Sequence, residues 1–396
     1  MTPAARIAAA CEILDRVLAG ASAEATLTNW ARGNRFAGSG DRAAIRDLVF
    51  DALRCKRSYA VSGGGLSGRG LMLGHCRAQG IDPSEIFTSD RFAPMALTVA
   101  EAAAYSGAPQ PHGNDALDCP DWLAPLLQDS LGADFAPVML AGRQRAPVFL
   151  RVNLARTTRP AAIAALAAEG IRAQSHSLAS SALVVLKNYR KIHLTQVYAD
   201  GLVELQDVAS QAMIEGLALS PKARILDYCA GGGGKALALA MRVDQEIVAH
   251  DAAPERMRDI PARAARAGVR IRRLARDEIS GQFDLVLVDA PCSGSGTWRR
   301  TPEAKWRLTP ARLEELQKIQ CDILVSAAPL VKPGGVLVYM TCSFLRAENE
   351  AQTDDFAATN GWIKTAERRL TPLDGGDGFY CCTMRKFSDA AVIIQD

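Results

Sequence analysis

The chain of 396 residues has no apolar run near the roughly 18 uninterrupted residues that a membrane span requires, because Arg, Glu or Gly cuts every Ala-rich stretch. Met1 to Gly20 lacks the charged start and apolar core of a signal peptide and carries an amphipathic mixture of acids and bases. A cytoplasmic chain with no membrane partner is expected. Metal-site spacing is also missing. The ten cysteines form no C-x-x-C, and the five histidines do not fall at ligand spacing from them, so no metal is expected. The cysteines stand at 11, 55, 76, 119, 229, 292, 321, 342, 381 and 382, too scattered for a small disulfide scaffold, and reduced thiols follow. Internal repeats and low-complexity tracts are absent. No charge excess demands a polyanionic partner, since 46 Lys and Arg against 43 acids leave +3.

What is present is ordinary for folded protein, with 48% hydrophobic and 22% charged residues. The length suggests two or three domains. Charge is unevenly spread: from Asp251 to Arg312 there are thirteen Lys/Arg, twelve of them Arg, against eight acids. Arg forks phosphate well, although a solvated helix face explains the same run.

The first third reads as helices. Ile7, Cys11, Leu14 and Leu18 recur at helical spacing before Gly20, and Ile45, Leu48, Val49, Ala52 and Leu53 do so after Asp41. Residues 60–70 and 106–120 carry loop composition, and a domain boundary is placed near 107–135. Strands follow at 148–153 and 182–186 around a helix from Arg159 to Glu169. A longer alternation then places strands at 224–228, 246–251, 270–274, 283–289 and 335–340, with helices at 254–267 and 310–328. That spacing predicts an α/β fold with a doubly wound, mostly parallel sheet. The tail segments 379–386 and 390–395 suggest an antiparallel pair at one edge.

Two features carry chemistry. The first is Ile225–Asp227 followed by Tyr228, Cys229, Ala230, Gly231, Gly232, Gly233, Gly234 and Lys235, a strand, a glycine turn and a helix. Such a turn lets backbone approach a ligand at the end of the first strand. Asp251 ends the next strand, where a carboxylate can accept both hydroxyls of a ribose. NAD and S-adenosylmethionine fit alike. A phosphate-binding P-loop does not, since Ala236 stands where Ser or Thr should hold magnesium.

The second feature is a pair of cysteines at strand ends. One strand runs out into Asp289-Ala290-Pro291-Cys292-Ser293-Gly294, the other into Thr341-Cys342-Ser343. If the strands are neighbours, about 5 Å apart, both thiols emerge at the carboxyl edge where open α/β sheets bind ligands. A lone Cys would read as core packing. Two at equivalent strand ends, one preceded by Asp-Ala-Pro, point to a site.

These residues resemble the bacterial RsmB-type members of the RsmB/NOP/NSUN family of RNA cytosine-C5 methyltransferases. The likeness also rests on Phe149–Asn153, Leu205–Gln211, Arg300-Thr301-Pro302 through Lys305-Trp306-Arg307, Glu348-Asn349-Glu350 and Asp377–Tyr380. Asp41-Arg42-Ala43 and Val49–Arg54 resemble a NusB-like helical RNA-binding domain. The resemblance implies three parts: a NusB-like all-α domain at 1–130, a small α+β linking subdomain at 131–205, and a Rossmann-like class I methyltransferase domain at 206–396.

It further implies a reaction. Cytosine C5 is a poor nucleophile, and addition of a thiolate to C6 makes it enamine-like. By the resemblance Cys342 is that nucleophile, and Cys292 assists loss of the C5 proton and release. Asp289 hydrogen-bonds the base near N3 and lies beside the cofactor. The residues Cys229 to Lys235, with Asp251 and Asp277, hold S-adenosylmethionine. The family loop usually reads Cys-Ala-Ala-Pro-Gly-Gly-Lys, often followed by Thr, so Gly231, Gly232 and Ala236 depart from it. The implied partner is RNA, small-subunit rRNA by the NusB-like domain and tRNA or another rRNA site as an alternative; nothing in the sequence marks an oligomer, and a monomer is the default expectation. Three other functions compete. A silent RNA-binding assembly factor leaves the thiol pair unexplained, as does a nicotinamide dehydrogenase. A thiol hydrolase needs a histidine base, for which only His250 is near.

Overall fold

The computed structural model describes residues 1–386, and Ala390–Gln395 of the expected tail pair lies outside them. Two compact units emerge. One comprises Met1–Arg145 together with Trp298–Arg307, the other Ala146–Thr297 and the chain from Leu308 onward. Among the described residues no helix is long and apolar enough to cross a membrane.

The first unit is helical, built on Pro3–Leu18, Ala23–Gly33, Ser39–Arg54, Lys56–Gly63 and Gly68–Gln79. Side chains three and four apart share a helix face, which is why Ile7 and Leu14 meet Ile45, Val49 and Leu53 in one buried cluster. The Gly- and Ser-rich stretch at 60–70 is mostly not a loop. Its glycines let two helices cross: a Cβ on Gly63 would stand 1.9 Å from the Gly70 carbonyl oxygen.

The excursion Trp298–Arg307 supplies buried groups to this unit. Arg54 Nε donates to the Arg299 carbonyl at 2.7 Å, and Trp306 Nε1 to that of Leu53 at 2.7 Å. Lys305 is buried among them. Thus Arg299 and Lys305, part of the charge run at 251–312, serve the interior of the helical unit.

The second unit holds two sheets. Strands β1 (Val148–Val152), β2 (Arg172–Ser175), β3 (Ala182–Lys187) and β4 (Val203–Leu205) pair antiparallel in the order β2-β3-β1-β4. The larger sheet comprises β5 (Ile225–Asp227), β6 (Ile247–Ala249), β7 (Ile271–Arg273), β8 (Phe283–Asp289), β9 (Val331–Thr341), β10 (Trp362–Leu370) and β11 (Phe379–Lys386). Its order is β10-β11-β9-β8-β5-β6-β7, with β5 to β9 parallel and β10 and β11 antiparallel.

This is the doubly wound sheet expected. Strands buried on both faces read as continuous apolar runs, as in Phe283–Asp289. The order reverses at β5, which has β6 on one side and β8 on the other. Open α/β sheets bind ligands beyond the carboxyl ends of strands at such a switch point. The candidate residues cluster there.

Candidate active site

Strands β8 and β9 are parallel neighbours with Asp289 opposite Met340, so their ends are level. The Ala290 amide donates to the Met340 carbonyl at 2.9 Å, extending the pairing past the last strand residue. Each chain then turns, and the two turns bring Cys292 Sγ within 3.5 Å of Cys342 Sγ. Both thiols are half-buried.

The pair is electrostatically unequal. Cys342 is pushed down from the ordinary thiol range, first by the hydrogen bond with Cys292 and helped by Lys235, against burial and the charge of Asp289. Cys292 is pushed well up, by that same hydrogen bond, by burial, and by the charges of Cys342 and Glu348. Lys235 on the side of Cys342 and Glu348 behind Cys292 favour negative charge on Cys342 rather than on Cys292.

Beside the thiols, Lys235 Nζ pairs with Asp289 Oδ2 at 2.6 Å. Burial works against the Lys235 charge, but Asp289 outweighs it and holds the ammonium protonated. Beneath them Asp227 is fully buried and pushed up to about 7, by burial and then by Asp289.

The glycine loop leaves β5 and enters the helix Gly234–Ala240. Gly231 and Gly233 have φ of +50° and +79°, the left-handed region that glycine occupies without strain. A Cβ on Gly233 would also lie 2.7 Å from Ile260 Cγ1. Cys229 and Ala230 sit at the base of the turn, and burial pushes the Cys229 thiol up, so it stays protonated. Arg151 Nη1 donates to the Gly234 carbonyl at 3.0 Å, and Gln206 Nε2 at 3.2 Å. The segments 149–153 and 205–211 thus anchor the start of this helix.

Asp251 follows β6 and is buried. Its carboxylate accepts from the Gly231 amide at 2.8 Å and the Ala253 amide at 3.0 Å, and pairs with Arg256 Nη1 at 3.1 Å. Asp277 lies exposed on the turn Arg276–Glu278 after β7, at the same edge of the sheet. His250 turns its Nδ1 to the Leu274 carbonyl at 3.1 Å.

Three features escaped the reading of the sequence. The substituted glycines leave room for two arginines: a Cβ at Gly231 would lie 3.1 Å from Arg256 Nη2, and one at Gly232 3.3 Å from Arg263 Nη1. The Lys235–Asp289 ion pair joins the cofactor loop directly to the turn that carries Cys292. Glu348, within a recognised motif but without a role, is buried directly behind both cysteine turns. A cavity of about 270 Å³ lies elsewhere, lined by Leu154, Ser181, Gln211 and Met241 among others, and shares no residue with the thiol pair.

Comparison with known proteins identifies the family. Residues 214–382 match the family described as 16S rRNA methyltransferase RsmB/F, and residues 119–192 the ferredoxin-like domain of RsmF/B-like methyltransferases. Ribosomal RNA small subunit methyltransferase B of Salmonella arizonae is 32% identical over 284 residues, 67% of this chain and 66% of that protein. Its counterpart from Salmonella heidelberg is 31% identical over the same length. The match thus spans slightly less than two thirds of these relatives.

Among solved structures, that of PH0851 superposes with a TM-score of 0.76 at 21% identity, covering 98% of this chain and 99% of the other. NSun6 from Pyrococcus horikoshii with SFG gives a TM-score of 0.61 at 18% identity over 68% of this chain and 99% of its own. At such identities the likeness is one of fold, that of Rossmann-like methyltransferases.

Proposed function

Because the chain belongs to the RsmB/NSUN-type RNA methyltransferases, we propose that it methylates C5 of a cytosine in RNA, with small-subunit rRNA as the substrate to test first. The observation that carries this reading is the thiol pair, 3.5 Å apart at the ends of adjacent parallel strands, next to an ion-paired Asp289.

The residues at the β5 and β6 ends fit S-adenosylmethionine. Positive-φ glycines bring backbone close, and buried Asp251 would accept ribose hydroxyls in place of its present contact with the exposed Arg256. A relative in fold was solved with SFG, an analogue of that cofactor. When bound, S-adenosylmethionine supplies an electrophilic methyl group.

The chain's own residues do the rest. Cys342 adds as thiolate to C6 of a cytosine turned out of its stack, forming the sulfur–carbon bond and moving electron density to C5. Asp289, held by Lys235, hydrogen-bonds the base edge near N3. Once C5 carries the methyl group, its proton must leave, to a water in the cleft, before the C6–sulfur bond can break, and Cys292 assists that loss. Elimination then returns Cys342 as a thiolate. The helical unit is proposed to bind RNA, in the manner of the NusB-like domains it resembles.

The test is transfer of labelled methyl from S-adenosylmethionine to unmodified rRNA by the purified chain, with bisulfite sequencing of RNA from a deletion strain to locate the base. Loss of one protected cytosine in the deletion strain is expected. No incorporation into rRNA or tRNA, with cofactor bound, would instead favour a silent RNA-binding assembly factor.

A further inference from the structure

Glu348 is fully buried, and every hydrogen bond recorded for its carboxylate comes from a group that shapes the thiol pair. Oε1 accepts from the Ser293 amide at 2.7 Å and from Gln320 Nε2 at 3.1 Å. Oε2 accepts from the hydroxyls of both Ser293 and Ser343, which stand 3.3 Å apart. Ser293 follows Cys292 and Ser343 follows Cys342. Gln320 also donates to the Pro291 carbonyl at 2.9 Å, so the residue before Cys292 is tied to the same carboxylate. Glu348 is itself fixed, its carbonyl accepting from Tyr339 Oη at 2.7 Å.

Burying a carboxylate costs several kcal/mol unless charge-assisted hydrogen bonds offset it. Serine and glutamine amide groups could satisfy each other without a charge. Here one carboxyl group instead bridges two turns that lie 50 residues apart in sequence. We propose that Glu348 is the positioning residue of the thiol pair: it clamps the turn after β8 to the turn after β9, so that the Cys292 thiol stays aimed at Cys342 and the nucleophile is Cys342 alone. The proposal rests on the reading of Cys342 as nucleophile. The charged and titratable groups facing the sulfurs are Asp289 and Lys235 on the cofactor-loop side, Asp227 below them, and Glu348 with Tyr339 behind the turns. Glu348 is the one that touches both turns.

The test compares the full chain with Glu348→Gln and Ser293→Ala. Iodoacetamide labelling at pH 7, resolved by site with mass spectrometry, needs neither RNA nor cofactor. In the parent chain Cys342 should label well ahead of Cys292. In Glu348→Gln that preference should fall at least tenfold, because one of the two acceptor oxygens becomes an NH2 donor and can no longer accept from both turns. Single-turnover methyl transfer should fall by a similar factor, while RNA KM and cofactor affinity stay within threefold. Ser293→Ala keeps the carboxylate and loses one bond, so a smaller shift in the same direction is expected. It also decides the matter should Glu348→Gln fail to fold. Adding Ser293→Ala to Glu348→Gln should cost little more, since both act on one contact. A folded Glu348→Gln with unchanged labelling preference and transfer rate overturns the proposal, as does an unshifted Ser293→Ala. A parent chain that labels selectively at Cys342 yet transfers no methyl group would overturn the methyltransferase reading and leave the clamp standing.

Discussion

At the residue scale the two sulfurs should fail differently. If Cys342 attacks and Cys292 serves release, Cys292→Ala still forms the adduct and transfers the methyl group, then holds the product. A slow-migrating protein–RNA band on a denaturing gel is expected for Cys292→Ala and not for Cys342→Ala or the double variant. A band in Cys342→Ala alone would reverse the roles. The pair also sets a pH dependence. Because Cys292 holds Cys342 below the ordinary thiol range, removing it should move the acid limb of single-turnover adduct formation to higher pH, and an unmoved limb would deny that hydrogen bond its role. For Asp251→Ala, loss of a charge-assisted hydrogen bond worth roughly 1.5–3 kcal/mol should weaken S-adenosylmethionine about 10- to 150-fold by calorimetry. Cys292, Cys342, Asp289 and Lys235 were legible because each lies within a contiguous motif. Glu348 was not, since what it does depends on Ser293 and Gln320, which approach it only in the folded chain.

At the scale of elements, the parallel strands were legible because burial on both faces leaves an unbroken apolar run. Strand β10 was not. It lies at the sheet edge, and exposed residues fill most of Ile363–Arg369, so no alternation marks it. The tail strand β11 consequently pairs between β10 and β9. The single helix expected over 254–267 is a short turn at Pro254–Met257 and a helix at Ile260–Ala267, because Pro261 fits a first helical turn but not an interior. The loop beyond Cys292 depends on an equally local constraint. The Gly378 amide donates to the Gly296 carbonyl at 2.8 Å, and a Cβ on Gly296 would stand 2.2 Å from the Gly378 oxygen. Backbone cannot yield as a side-chain end does. Gly296→Ala should therefore shift the segment that follows Cys292, lowering the melting temperature by several degrees and methyl transfer by more than tenfold. A variant with parent-like melting and turnover would show that this crossing is soft.

At the scale of the whole molecule, the alternation of strands and helices revealed the second unit, but nothing local showed that Trp298–Arg307 belongs with the first. A run of arginines around one lysine reads as a surface, whereas Lys305 is enclosed. Burial pushes Lys305 down to about 8, with Asp118 the foremost opposing charge. The unfolded lysine titrates near 10.4, so between about pH 8 and 10.4 the unfolded chain binds more protons than the folded one. Stability contributed by Lys305 therefore rises with pH across that window, at up to about 1.4 kcal/mol per pH unit. Lys305→Met keeps the apolar stem and removes the titration. Cys55 and Cys119, pushed up by burial, pull the opposite way in both proteins, so the difference between the two isolates the lysine. Of the five tryptophans, Trp30, Trp122, Trp298 and Trp306 belong to the helical unit, which makes intrinsic fluorescence its reporter. Denaturant unfolding at pH 7, 8, 9 and 10 should show the parent chain gaining on Lys305→Met as pH rises. A difference that stays flat would mean that the Lys305 ammonium keeps its proton inside the fold.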